Sequence, residues 1–137
     1  AQDRRAARVL AAEDNPTNQR VLRAVLDTFN VDLTLVGDGR EAVEAWRTGG
    51  FDVVLMDIQM PELDGVEATR AIRAIEAAER RPRTPVVALS ANAMTHQVAE
   101  YLAAGMDAHV AKPIEIPKLQ AALDAALQAS SEARAAA

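Results

Sequence analysis

Glu13, Asp14, Asp57, Ser90 and Lys112 of this 137-residue chain together offer the side-chain types that phosphoryl chemistry uses. Three carboxylates and one ammonium sum to a charge of −2, three negative and one positive. Carboxylates drawn together repel one another, and burying them unpaired is expensive or pushes their pKa values up. Such a cluster asks for a divalent cation. Oxygen-only donors, with neither Cys nor His beside them, select Mg²⁺, or Mn²⁺, over zinc. With that ion the sum becomes zero, and the site can receive a phosphoryl group of roughly −1.5 to −2 charge. Asp57 is then the natural nucleophile, since a carboxylate can form an aspartyl phosphate. Lys112 would hold one phosphoryl oxygen as a point charge, and Ser90 would donate a hydrogen bond to another. Such transfer depends on positioning and charge neutralisation more than on acid–base groups, so the lack of a histidine does not count against it.

These five residues come from four widely separated stretches of the sequence, so the fold must collect them. Short apolar runs at 8–12, 31–36, 51–56, 86–89 and 108–111 read as strands, each followed by a stretch of helical period. Asn15 and Pro16 read as an N-cap and first-turn proline, and Val21, Leu22, Val25, Leu26 and Phe29 as that helix's buried face. A second helix over 40–47 uses Ala42, Val43 and Trp46 and stops at Gly49-Gly50. Asp64 with Glu67 caps a third, running to about Arg80. A fourth covers 95–103, and the last uses Leu119, Leu123 and Leu127 before an alanine-rich tail. Five strands each followed by a helix predict an α/β domain whose parallel sheet is covered on both faces. In such sheets ligands sit beyond the carboxyl ends of the strands, where strand order reverses. Glu13 and Asp14, Asp57, Ser90 and Lys112 all fall at or just past the ends of the apolar runs. Taken singly, each has a bland reading as a cap, a loop charge, a turn hydroxyl or an exposed lysine. Only their convergence lifts them above it.

Composition narrows the class. The length fits one domain over 1–137, with a core over about 8–127 and flanking tails, and 50% hydrophobic residues can bury a sizeable core. Lys plus Arg number 15 against 20 Asp plus Glu, and the net charge of −5 argues against nucleic acid as a direct partner. With Cys at zero, thiolate metal sites, disulfides and cysteine nucleophiles are excluded. No apolar run approaches the roughly 20 residues that span a bilayer, so no membrane contact is expected of this domain. Aromatics at 3% leave few platforms for stacking a base or flavin. A start at Ala1 and an alanine-rich end suggest a piece of something longer.

Glu13-Asp14-Asn15, the run from Asp57 through Met60-Pro61 to Asp64-Gly65, Ala88-Leu89-Ser90-Ala91 and Lys112-Pro113 resemble the receiver domain of two-component response regulators. The resemblance covers about Arg8 to Leu127 in order. It implies a single flavodoxin-like (βα)5 domain with strand order 2-1-3-4-5. It implies Asp57 as phosphoacceptor and Glu13, Asp14, Asp57 and the backbone carbonyl of Gln59 as Mg²⁺ ligands. Ser90 and Lys112 become the switch residues, and the Lys112–Pro113 bond is expected to be cis. Gln59 and Asn92 would tune hydrolysis of the acyl phosphate. The donor would be a phosphohistidine on a histidine kinase or histidine phosphotransfer domain, docking near Thr17 to Val21. Phosphorylation would switch the face formed by the fourth helix, fifth strand and fifth helix. The sequence looks most like receivers fused to sensor kinases, which implies a cytoplasmic domain of a hybrid histidine kinase. One departure is His109, where similar receivers often carry Tyr or Phe, which makes the outward signal different, weaker or pH-sensitive.

Other classes compete. A Mg²⁺ phosphohydrolase of the haloacid-dehalogenase type also uses an aspartate at a strand end, but resembles D-x-D, and position 59 is Gln. A flavin carrier wants a hydroxyl-rich loop where Glu13 and Asp14 stand, and their charge would repel a flavin phosphate. A pseudo-receiver serving only as a protein-binding module would lack some of Asp57, Lys112 or the acidic pair, and none is lacking.

Overall fold

A computed structural model describes residues 7–60, 62–91 and 95–136, the side chains of 95 and 133–136 aside. Its elements alternate without exception: β1 (Arg8–Ala12), α1 (Pro16–Asp27), β2 (Asp32–Val36), α2 (Gly39–Gly49), β3 (Val53–Asp57), α3 (Gly65–Glu79), β4 (Val86–Ser90), α4 (Thr95–Ala103), β5 (Ala108–Ala111) and α5 (Ile116–Ala136). The strands form one parallel sheet in the order β2-β1-β3-β4-β5.

β1, β3 and β4 are apolar on both faces because helices cover both. Leu10, Ala12, Val54, Met56, Val86 and Ala88 pack under α2, α3 and α4 with Trp46, Ile72 and Tyr101. The alternate residues, among them Val9, Ala11, Val53, Leu55, Val87 and Leu89, pack against Leu22 and Leu26 of α1 and Leu119 and Leu123 of α5. Period-2 alternation therefore splits each strand between two cores.

Local signals set the helix starts. The Asn15 side chain accepts from the N–H groups of Thr17 and Asn18, and that of Asp64 from Glu67, so both N-caps form as the sequence predicts. Gly50 closes α2 in the left-handed region at φ 66°. Two features differ from the sequence reading. Val21 is 45% exposed rather than buried, because the inward stripe of α1 runs through Leu22 and Leu26. α5 does not give way to a tail after Leu127 but continues to Ala136, with Ser130 buried. Alanine is the best helix former, so an Ala-rich segment extends a helix that packing has already nucleated.

Candidate functional site

The register of the sheet gathers the site one step at a time. Ala12 pairs with Met56, so Glu13 leaves β1 beside Asp57, the last residue of β3. Asp57 pairs with Leu89, one position before Ser90, and Ser90 pairs with Ala111, one before Lys112. β1 separates β2 from β3, so strand order reverses between β1 and β3, and a crevice opens there. It is a cleft of about 720 Å³, and Glu13, Asp14, Asp57, Gln59, Ser90 and Lys112 all line it.

Glu13 is 1% and Asp57 5% exposed, whereas Asp14 lies open to solvent. One carboxylate oxygen from each of the three comes within 4.8 Å of the others. Lys112 Nζ donates to Glu13 Oε1 at 3.0 Å and forms an ion pair with Asp57 Oδ1 at 3.2 Å. Backbone amides finish the arrangement. The N–H of Asn15 donates to Glu13 Oε2 at 3.1 Å, and that of Gln59 to Asp57 Oδ1 at 3.3 Å. The Lys112–Pro113 peptide is cis, as the resemblance implies.

Behind Asp57, α3 comes unusually close. The Gly65 N–H donates to Ile58 O at 2.9 Å, and a Cβ at Gly65 would lie 2.2 Å from the carbonyl oxygen of Asp57. No side chain fits there.

One ammonium does not neutralise two buried carboxylates, and the ionisation of the pair shows it. Burial pushes Asp57 up to about 6, the neighbouring Glu13 adds to the rise, and Lys112 only partly opposes it. Burial also raises Glu13, but hydrogen bonds from Lys112, from Asp57 and from the Asn15 amide outweigh it, so Glu13 ends below its usual value. Lys112 is held above its own, since Glu13 and Asp57 overcome the cost of its burial. The site therefore holds an excess of negative charge on hard oxygen donors, a set that fits Mg²⁺ or Mn²⁺.

Ser90 is buried at the same edge, its hydroxyl 3.0 Å from that of Tyr101 on α4. His109 lies on β5, half-buried, with its ring 6.2 Å from that of Tyr101 and inclined 28° to it. Asn92 lies outside the described residues. Sequence reasoning missed Tyr101, which lines the cleft with Gln97, Arg70 and Asn18. The available signal was that the chain's one Tyr follows Gln97 at a spacing of four, on one helix face.

Comparisons with known proteins agree with this geometry. The family model described as the response regulator receiver domain matches residues 9–124. The sensor protein GacS of Pseudomonas syringae pv. syringae is 44% identical over 110 residues, 80% of this chain but 12% of that protein. The chain thus spans about an eighth of the length of that relative. The crystal structure of the receiver domain of the sensor histidine kinase PA1611 of Pseudomonas aeruginosa PAO1, with a magnesium ion coordinated in its active-site cleft, superposes with a TM-score of 0.81. It is 40% identical and covers 90% of this chain and 98% of that one. The receiver domain of Ssk1 of Saccharomyces cerevisiae, solved with the histidine phosphotransfer protein Ypd1, gives a TM-score of 0.74 at 30% identity, covering 85% of each chain. With the matched region running from β1 into α5 and the acidic cleft at the expected strand ends, this chain belongs to the response regulator receiver domain family.

Proposed function

We propose that Asp57 accepts a phosphoryl group from a phosphohistidine, in a reaction that requires a divalent cation. The observation that carries this reading is the arrangement around Asp57. A buried carboxylate sits at a strand end, 3.2 Å from the Lys112 ammonium and within 4.8 Å of two further carboxylates, at the mouth of an open cleft. Glu13, Asp14, Asp57 and the Gln59 carbonyl would hold Mg²⁺. The ion supplies charge neutralisation to the carboxylates and the incoming phosphoryl oxygens. An Asp57 carboxylate oxygen forms the new bond to phosphorus as the P–N bond of the donor breaks, and the imidazole leaves with the electron pair and takes up a proton. Lys112 then shifts its hold from Asp57 Oδ1 to a phosphoryl oxygen, and Ser90 turns its hydroxyl to another. Movement of these two residues biases a two-state equilibrium on the face formed by α4, β5 and α5.

The donor is a histidine kinase or a histidine phosphotransfer protein, a partner class supported by the complex of the Ssk1 receiver with Ypd1. Val21, exposed on α1 beside the cleft rim at Asn18, suits the docking surface expected near Thr17 to Val21. Similarity to a sensor protein and to a hybrid signal transduction histidine kinase supports a parent protein of the hybrid sensor kinase type, and a cytoplasmic place for this domain belongs to the same reading. No helix among the described residues is long and apolar enough to cross a membrane. Gln59, two residues after Asp57, and Asn92, two residues after Ser90, are assigned the tuning of the slow hydrolysis of the acyl phosphate. A D-x-D hydrolase gains no support, because position 59 offers an amide rather than a general acid.

Incubation with acetyl phosphate and Mg²⁺ tests this. The wild-type chain should take up one phosphoryl group, and Asp57→Asn or added chelator should abolish uptake. Full-yield labelling of Asp57→Asn, or labelling indifferent to chelation, would refute the assignment.

A further inference from the structure

The β5 position at which the resemblance places Tyr or Phe is His109 in this chain. The ring that touches Ser90 comes instead from α4: the Ser90 and Tyr101 hydroxyls are 3.0 Å apart and buried. Two further observations surround this contact. Among the described residues, the buried side-chain atoms without a hydrogen-bond partner are Gln97 Oε1 and His109 Nε2. Gln97 lies one turn before Tyr101 on α4, and His109 stacks on the Tyr101 ring. Both unpaired groups thus flank one phenol.

An orphaned buried acceptor costs free energy and favours any rearrangement that gives it a donor. Long side chains on a helix lean toward its N-terminus, over the residue four positions back, which places the Tyr101 side chain over Gln97.

We propose that Tyr101 is the positioning residue of the switch. It holds Ser90 turned away from the phosphoryl site at rest. When Ser90 donates to the phosphoryl oxygen, the Tyr101 hydroxyl exchanges it for Gln97 Oε1. The movement enters α4 through Tyr101 and Gln97, with His109 serving as the stacking wall rather than as the moving ring.

This inference rests on the phosphoacceptor reading, and one titration separates the two. Beryllofluoride with Mg²⁺ imitates a phosphoryl group on a carboxylate, so its affinity reports how readily Ser90 leaves its resting partner. Tyr101→Phe keeps the ring and removes the competing hydroxyl. Its affinity should stay near that of the wild type, because the resting bond to Ser90 and the replacement bond to Gln97 are lost together. Gln97→Ala should weaken binding about 2- to 10-fold, the factor for one neutral hydrogen bond broken and not replaced, since the displaced phenol then has no acceptor. On a Tyr101→Phe background Gln97→Ala should change nothing, because no phenol hydroxyl remains to be displaced.

A purely structural contact of Tyr101 with Gln97 would lower the melting temperature of the Gln97→Ala variant and leave its affinity unmoved. An equal Gln97→Ala effect with and without the Tyr101 hydroxyl would overturn the proposal. Unchanged affinity in Gln97→Ala would overturn the exchange step. If the wild-type chain binds no beryllofluoride at all, the phosphoacceptor reading fails first and carries the proposal with it.

Discussion

Asp57 is held in an ionisation state that its neighbours only half support. Its pKa in the folded chain lies near 6, against 3.8 for an unperturbed group, chiefly because burial and Glu13 disfavour the second negative charge. The sign of the consequence follows by linkage. Between about pH 4 and 6 the folded chain keeps a proton that the unfolded chain has released, so this group subtracts stability as pH rises through that window. Glu13, with its lowered pKa, works the other way: its contribution is present above its unfolded value and is lost on acidification. Comparing wild type with Asp57→Asn isolates the first effect. The variant should be the more stable one at pH 7 without metal, by up to about 3 kcal/mol, and the difference should fade toward pH 4. Thermal melts across that range check it, and a difference independent of pH would show that the Asp57 charge is not strained. For the same reason Mg²⁺ should bind with constant affinity above about pH 7 and lose roughly tenfold per pH unit below the Asp57 pKa, as proton and metal compete for one carboxylate.

At the scale of elements, the close approach of α3 to β3 sets the position of Asp57. Gly65→Ala would place a methyl group 2.2 Å from the Asp57 carbonyl oxygen, too near for any rotamer to relieve. The helix must then retreat, and destabilisation of about 1 to 3 kcal/mol is expected. Phosphoryl uptake should slow as well, because the backbone that carries the nucleophile moves with the helix. Urea titration and acetyl phosphate kinetics together read both effects, and a variant unchanged in either would contradict the packing argument.

Elements of this kind were legible in the sequence wherever the signal was local. Asn15 and Asp64 announce their caps, Gly50 its left-handed turn, and the apolar runs their burial. Val21 was misplaced because a hydrophobic residue at the margin of a helical stripe looks like its centre until the sheet fixes the rotation of α1. The continuation of α5 past Leu127 was obscured because alanine serves helix and tail alike, and only the burial of Ser130 decides between them.

At the scale of the whole molecule, the parallel sheet gathers four distant stretches of sequence into one cleft, and that convergence could be inferred from the strand-end rule without any distance being known. Glu13, Asp14, Asp57, Ser90 and Lys112 were therefore readable beforehand. Tyr101 was not, since its contact with Ser90 joins α4 to the end of β4 and depends on tertiary packing that no short motif encodes.

The central claim, that these elements make Asp57 the nucleophile, admits a direct chemical reading. Borohydride reduces an acyl phosphate to an alcohol, so the chain phosphorylated with Mg²⁺ and acetyl phosphate should yield homoserine at position 57 when its peptides are sequenced by mass spectrometry. Reduction at Glu13 or Asp14 instead, or phosphate found on Ser90 with Asp57 intact, would contradict it.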